Sequence, residues 1–388
     1  MKIVDVCGFY SETGGGVRSY VLQKFEAALR HGHELVVVAP GAEDRVEPRP
    51  GGRIVWVGSP PMAFDPNYRM FLAAGPVWRV LEAEAPDMLE GSSPWRGGWI
   101  AGHWPGRAPR ALVFHQDFVA GYPYTALRGL LSPALIDRIF TPYWRYVRRL
   151  SDRFDVTVAG GDWLADRLAG FGLKRPLAVP FGVESARFSP AHRDHSLRQS
   201  LLARCGLGPE GRLLLVVGRL HPEKRHATIL KAFARARRSR PGIALAVIGD
   251  GLMRKSVEDL AAKVGGVALL GVITDRDLLA RHYASADLLV HGSEAETYGL
   301  VVAEAIASGL AVVTPDLGGA ADLARRGRSR TYGAGDVDAC ATAILAALRG
   351  ELTAPTEPAA GSGEAHFDAL FALYEGLVAD VSDGKRRP

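Results

Sequence analysis

Residues 291–309 read HGSEAETYGLVVAEAIASG and set two carboxylates, Glu296 and Glu304, on either side of a Tyr-Gly turn and the start of an apolar helix. From Thr297 to Ile306 every residue except Glu304 is uncharged. An ionised side chain on such a helix is costly unless something pairs with it, and the diol of a ribose or hexose is a suitable partner. The first helical turn, at Tyr298, Gly299 and Leu300, aims N–H groups and the positive end of the helix dipole outward, where a phosphate fits. These residue types at this spacing suit a polyhydroxylated, phosphorylated ligand.

Three other stretches could contribute. Gly218-Arg219-Leu220-His221-Pro222-Glu223-Lys224 follows an expected strand directly. Arg219 and Lys224 there could clamp a diphosphate, although such a pair in a βα loop is usually only solvated. His115 and Asp117, in Phe114-His115-Gln116-Asp117-Phe118, also follow a strand. The histidine could donate to a sugar hydroxyl or meet the acceptor, and the aspartate could orient or deprotonate a nucleophile. A single histidine at a strand end is more often structural. Gly14-Gly15-Gly16 lies between a strand and a helix and would allow close backbone approach to a ligand. It is neither a GxGxxG nor a P-loop, which weighs against nicotinamide and ATP, and a flexible turn explains it equally well. Asp275/Asp277 and Asp336/Asp338 each open a helix, so capping explains them better than a metal does, and no metal is expected.

The elements that must position these residues alternate. Strands are expected at 3–6, 34–39, 54–57, 111–114, 156–159 and 177–179, with helices at 17–31, 77–85 and 162–170, the last after an Asp162 cap. A second α/β series has strands at 213–217, 244–248, 268–270, 288–291 and 311–314. Its helices fall at 226–239, 252–264, 275–284 and 299–308, and a final helix at 364–379 follows. This alternation implies two Rossmann-like, doubly wound parallel sheets, with a cleft at their carboxyl edges. The expected organisation is an N-terminal domain over 1–187, a linker over 188–209 and a C-terminal donor domain over 210–363. A C-terminal helix and tail over 364–388 can pack back on the N-terminal domain. Arg138, Arg145, Arg148 and Arg149 lie opposite Ile136, Tyr143, Val147 and Leu150 on a helical projection that Pro142 splits and Thr141 caps. Such a helix can rest on an anionic bilayer or can simply cover the core.

The chain has 388 residues, 47% of them apolar and 23% charged, as in a soluble two-domain α/β protein. No stretch approaches the ~20 apolar residues of a spanning helix, and Met1 leads straight into a strand without a signal peptide. Three scattered cysteines, Cys7, Cys205 and Cys340, argue for a reducing compartment. The cytoplasm is the expected location, with peripheral contact at the inner face of the membrane an option. The formal charge of +5 suits an anionic small ligand or an anionic membrane surface, whereas nucleic acid is not expected without a basic tail or reader motif.

Together these residues resemble a retaining glycosyltransferase of family 4, with the GT-B fold, over nearly the whole chain. The E-x7-E segment from Glu296 to Glu304 is the most specific part. The 218–224 loop, Gly14 to Gly16, residues 290–293 and Gly318-Gly319 also match. FYSETGGGVRSY with FHQDF is similar to a subgroup that includes bacterial mannosyl- and diacylglycerol-sugar transferases. The resemblance implies that Glu296 binds the donor hexose and Glu304 the nucleotide ribose. Arg219 and Lys224 would neutralise the diphosphate, amides near Tyr298, Gly299 and Leu300 would support the β-phosphate, and Gly15 and Gly16 would meet the same phosphate. His115 would face the donor sugar and the base would lie near Val272 and Ile273, with Asp117 on the acceptor side. One departure is Gly318-Gly319-Ala320-Ala321-Asp322, where relatives often carry Pro-Glu after the glycines.

The expected activity is transfer of a mannose- or glucose-type hexose from a GDP- or UDP-linked donor to a lipid-linked or glycan acceptor. Retention would give an α-linkage, and neither metal nor cofactor is expected. Fixed cations and N–H groups would stabilise the leaving diphosphate. A nucleotide-sugar epimerase of the same fold and a non-catalytic sugar-binding scaffold are the alternatives.

Overall fold

The computed structural model describes residues 1–12, 16–62, 65–127, 130–357 and 359–383. It divides into two compact units. The first comprises Met1–Gln116, Ala134–Val179 and Glu364–Pro388, and the second Asp117–Pro133 and Pro180–Gly363.

The N-terminal unit is built on an 8-stranded sheet. From edge to edge the strands are Pro176–Ala178, Val156–Ala159, Arg110–Phe114, Met88–Ser92, Lys2–Val6, Glu34–Gly41, Gly52–Gly58 and Arg45–Arg49. All neighbours run parallel except the last pair. Parallel strands must be covered on both faces, which explains why Glu34–Gly41 is nearly a continuous apolar run. One face packs Ile3, Leu35, Val37, Ile54 and Val113 against Val21, Phe25 and Ala28 of helix Gly16–Arg30. Helix Gly363–Ser382 adds Phe367, Leu370, Phe371, Tyr374 and Leu377 to the same core. The two ends of the chain therefore share one hydrophobic cluster.

The C-terminal unit has a 6-stranded, wholly parallel sheet in the order Val267–Gly271, Ile243–Ile248, Arg212–Val217, Leu288–Val290, Ala311–Pro315, Ser329–Tyr332. The period of two in a strand sorts its residues between two cores. Leu214, Val216, Leu245 and Val247 enter one cluster, while Leu213, Leu215, Ala244 and Ala246 enter the other. Strand order reverses between Arg212–Val217 and Leu288–Val290. Open α/β sheets bind ligands beyond the carboxyl ends at such a switch point. The 218–224 loop and the His291 segment both leave from that place.

Where structure and sequence expectation differ, tertiary contacts explain the difference. Residues 188–209, expected as a linker, carry helix His195–Arg204, capped by Asp194 accepting from Leu197 N at 2.9 Å. Its Leu201 and Leu202 are buried, and Arg198 donates to the Ser285 and Gly211 carbonyls. Strand Met88–Ser92 escaped notice because Glu90 interrupts its apolar pattern. That carboxylate is buried in the sheet and ion-paired with Lys24 at 2.6 Å. Helix Arg96–His103 contains Gly97, Gly98 and Gly102, poor helix formers. Glycine is required at Gly98, because a Cβ there would strike the Ser93 carbonyl. Two expected caps also move: Gly161, not Asp162, precedes helix Asp162–Gly170, and Phe140, not Thr141, precedes helix Thr141–Ser151. The Thr141 hydroxyl instead donates to the Arg138 carbonyl at 2.7 Å.

Candidate functional site

Gly218 leaves strand Arg212–Val217 at φ 148, and the chain then turns through the short helix Pro222–Lys224. Arg225 closes that turn in the left-handed region at φ 50, which is strained for a residue with a Cβ. This geometry presents two successive cations to the segment after strand Leu288–Val290. Lys224 Nζ donates to Glu296 Oε1, and Arg225 donates to Glu294 Oε1. Arg219, its side chain 70% exposed, bonds Glu223 at 3.1 Å, and Lys224 lies 4.0 Å from the same Glu223 oxygen. Arg219, Lys224 and Glu296 therefore belong to one chain of charges on one face of the unit.

Burial alone would raise the Glu296 carboxyl. The Lys224 charge, aided by His291, overrides it and holds the group below its ordinary value. His291, 4% exposed, lies with Nε2 3.5 Å from Glu296 Oε1. Burial pushes its imidazole down to about 4, so the ring is neutral at pH 7.

The turn at Tyr298 and Gly299 is set by packing. Gly299 takes φ 97 at the start of helix Leu300–Ala307, and Tyr298, 5% exposed, accepts a bond from Gly182 N at 3.1 Å through its hydroxyl. Gly318, at φ 83, and Gly319 lie against this segment. A Cβ on Gly318 would collide with the Glu294 carbonyl, and Gly319 N donates to the Glu296 carbonyl at 2.7 Å. The two glycines thus shape the backbone that carries Glu296. Leu300 is 47% exposed at the helix mouth.

Glu304, one face further along the helix, belongs to a second cluster. It accepts from the buried Tyr283 hydroxyl at 3.0 Å and from Arg276 at 3.3 Å. Arg276 also bonds Glu184 at 3.0 Å and lies over the Phe188 ring. Burial raises the Glu304 carboxyl, opposed by Arg276 and the Tyr283 bond. Val272 is 63% exposed and Ile273 half-buried just beyond strand Val267–Gly271.

In the N-terminal unit, His115 follows strand Arg110–Phe114 and is half-buried, edge-on to Tyr20 at 4.9 Å. Burial pushes its imidazole to about 4. Asp117, where the chain passes into the second unit, is buried, and its carboxylate accepts from Ala120 N at 3.0 Å as the cap of helix Phe118–Gly121. Gly16 is the exposed first residue of helix Gly16–Arg30, whereas Gly14 and Gly15 lie outside the described residues. Asp275 and Asp336 accept backbone N–H bonds as caps. Among the described residues no group of three or more His, Cys, Asp or Glu gathers to hold a metal ion, and no helix is long and apolar enough to cross a membrane.

Sequence reasoning missed His291, Glu294, Arg225, Arg276, Glu184 and Tyr283 as members of these clusters. A signal existed for the first three, which sit within five residues of Glu296 or next to Lys224. Nothing in the spacing could pair position 276 with 304 or 184.

Comparison with known proteins identifies the family. A family model described as glycosyl transferases group 1 matches residues 202–359, and one described as glycosyltransferase family 4 matches residues 14–187. A GDP-mannose-dependent alpha-mannosyltransferase of Mycolicibacterium smegmatis is 33% identical over 83% of this chain and 82% of its own length. A GDP-mannose-dependent alpha-(1-6)-phosphatidylinositol dimannoside mannosyltransferase of Mycobacterium tuberculosis is 26% identical over 81% and 79%. Among solved structures, the sucrose-phosphate synthase of Thermosynechococcus elongatus superposes with a TM-score of 0.70 at 20% identity, covering 100% of this chain and 98% of that one. Anabaena HepE in complex with UDP and glucose gives a TM-score of 0.66 at 16% identity, covering 99% of each chain. The fold is GT-B, with a parallel-sheet α/β domain in each unit. The chain belongs to glycosyltransferase family 4.

Proposed function

We propose that this glycosyltransferase moves mannose from GDP-mannose, with retention of configuration, to a lipid-linked or glycan acceptor. The observation that carries the reading is the Lys224–Glu296 pair at the switch point of the C-terminal sheet, with Arg219 beside it. The cations are assigned to the donor diphosphate and Glu296 to the hexose hydroxyls. The amides of the Tyr298–Leu300 turn are assigned to the β-phosphate, Glu304 to the ribose diol, and the surroundings of Val272 and Ile273 to the base. On the N-terminal unit, His115 is assigned to the sugar and Gly15 and Gly16 to phosphate, while Asp117, which belongs to the second unit, is assigned to the acceptor side.

The names of the relatives support GDP-mannose over other donors, and one of them specifies a phosphatidylinositol dimannoside. Cationic and N–H donors placed at the leaving diphosphate stabilise the charge that develops there without a metal. A phosphate oxygen of the donor can take the acceptor proton, which dispenses with a separate base. Contact with an anionic membrane belongs to the same proposal. Helix Thr141–Ser151 buries Trp144, Val147 and Leu150, so its apolar side is spent on the core and its exposed side is Arg145, Arg148 and Arg149. Exposed Arg138, Leu135 and Ile139 precede it.

The test is turnover with GDP-mannose, UDP-glucose and ADP-glucose on a panel of lipid and glycan acceptors, with a chelator present. The reading expects α-linked product from GDP-mannose, unaffected by the chelator. No product with any acceptor, or conversion of the donor alone, would refute it. Sedimentation with anionic vesicles tests the membrane component, and recovery of all the protein in the supernatant would remove it.

A further inference from the structure

The donor reading makes two demands on Lys224 and Glu296 that conflict with their pairing. A diphosphate competes for the Lys224 ammonium, while Glu296, its side chain only 18% exposed, must stay ionised to accept from a sugar hydroxyl. A largely buried carboxylate that loses its counter-charge is destabilised unless another donor takes over. The surrounding donors are mostly committed. Arg219 bonds Glu223, Arg225 bonds Glu294, and His226 Nε2 lies 3.0 Å from the Arg219 carbonyl.

His291 is different. Its backbone is pinned on both sides, with N donating to Val313 O and O accepting from the Tyr332 hydroxyl, each at 2.8 Å. The Ser293 backbone nearby favours the protonated ring. The Nε2 atom is buried, has no hydrogen-bond partner among the described residues, and lies 3.5 Å from the same Oε1 atom that Lys224 holds. Buried polar atoms in folded proteins are rarely left unsatisfied, and the exceptions ask for an explanation.

Resting on the donor reading above, we propose that His291 is a positioning residue for Glu296. When Lys224 turns toward the donor diphosphate, Nε2–H of His291 takes over Oε1 and keeps the carboxylate aimed at the sugar. Glu296 and the Ser293 backbone both favour the protonated ring, so the imidazole takes up a proton from solvent as Lys224 departs. The electrostatics run the same way. Burial keeps the imidazole neutral, Glu296 favours its charged form, and the charges of Lys224 and His226 oppose it. Withdrawing Lys224 removes one opposing charge and leaves the Glu296 attraction in place.

The test compares H291L, H291N and H291Q with wild type. Glutamine can place an N–H where Nε2 stands, asparagine only where Nδ1 stands. Kinetics with GDP-mannose should show kcat falling about 10–100-fold in H291L and H291N, KM moving less than about threefold, and H291Q keeping most of the rate. GDP affinity should be unchanged in all three. Wild-type rates in H291L and H291N would overturn the proposal, as would H291N outperforming H291Q. A second measurement needs no variant. Calorimetry of GDP-mannose binding to wild type near pH 6, without acceptor and in buffers of different ionisation enthalpy, should report proton uptake, and none would equally overturn it. E296A separates the two layers: a fully active E296A removes the donor reading itself. An inactive E296A beside a fully active H291L removes only the role of His291.

Discussion

The Lys224 ammonium donates to Oε1 of Glu296 across 72 residues of chain. That contact ties the loop after one central strand to the loop after its neighbour, and it concentrates opposite charges at the switch point of the C-terminal sheet. Two side chains with separate assignments, one to phosphate and one to sugar, are therefore electrostatically coupled.

Replacing Lys224 tests the phosphate assignment. K224M keeps the aliphatic stem and removes the charge. A hydrogen bond to a charged group is worth about 1.5–3 kcal/mol, so GDP affinity should fall about 10–100-fold. Titration calorimetry reads this directly. Arg219 is 70% exposed, so R219A should cost less, and equal affinities for wild type and K224M would contradict the assignment.

Glu304 tests the ribose assignment. Its two oxygens are held by Tyr283 and Arg276, which orient the carboxylate on an otherwise apolar helix. E304A should bind GDP about 10–100-fold more weakly, yet bind 2′,3′-dideoxy-GDP no worse than wild type does. A parallel loss for both nucleotides would mean that Glu304 shapes the fold and does not read the diol.

The depressed His291 imidazole gives stability a sign with pH. Held at about 4 in the fold, against ~6.5 in an unfolded chain, it lets the unfolded state bind more protons between those values. Its contribution is complete above pH ~6.5 and is lost as pH falls toward 4, a span of about 3 kcal/mol at most. Asp5, which burial raises to about 7, acts oppositely, its contribution present at low pH and lost as pH rises through that value. Urea unfolding of wild type and H291Q between pH 7.5 and 4.5 isolates His291 as a difference. Wild type should lose more stability than H291Q on acidification, and parallel curves would contradict the burial argument.

The N-terminal unit carries a buried ionic cluster whose members are far apart in sequence. Lys24 lies 3.3 Å from Asp5 and 2.6 Å from Glu90, all three fully buried, and the Tyr374 hydroxyl donates to Glu90 at 2.5 Å. Above pH 7, where Asp5 is ionised as well as Glu90, K24M leaves two buried carboxylates without a counter-charge and should destabilise the protein by about 3–5 kcal/mol. Y374F removes one donor and should cost about 1–2 kcal/mol. Urea denaturation checks both, and a neutral K24M would show that one carboxyl is already protonated and satisfied.

Much of this architecture could be read from periodicity. Alternating apolar strands and amphipathic helices implied two parallel sheets, and the neutral run around Glu304 marked its helix. Elements that break local rules were hidden. Met88–Ser92 contains Glu90, and Arg96–His103 is rich in glycine, because Lys24 and a close backbone approach at Gly98 compensate from elsewhere in the fold. The site was legible wherever motif and strand end coincided, as at Lys224 and Glu296. It was illegible where a partner arrives from a distant helix, as Arg276 does at Glu304, or where a residue matters through an unsatisfied atom, as His291 does.

Glu296 carries the central claim, that one carboxylate beside a cationic loop grips the carbohydrate being transferred. Steady-state kinetics of E296A with GDP-mannose, paired with calorimetric GDP binding, test it most directly. Turnover should fall about 10²–10³-fold while GDP binds with wild-type affinity. Undiminished turnover, or a loss of GDP affinity that matches the loss of rate, would contradict it.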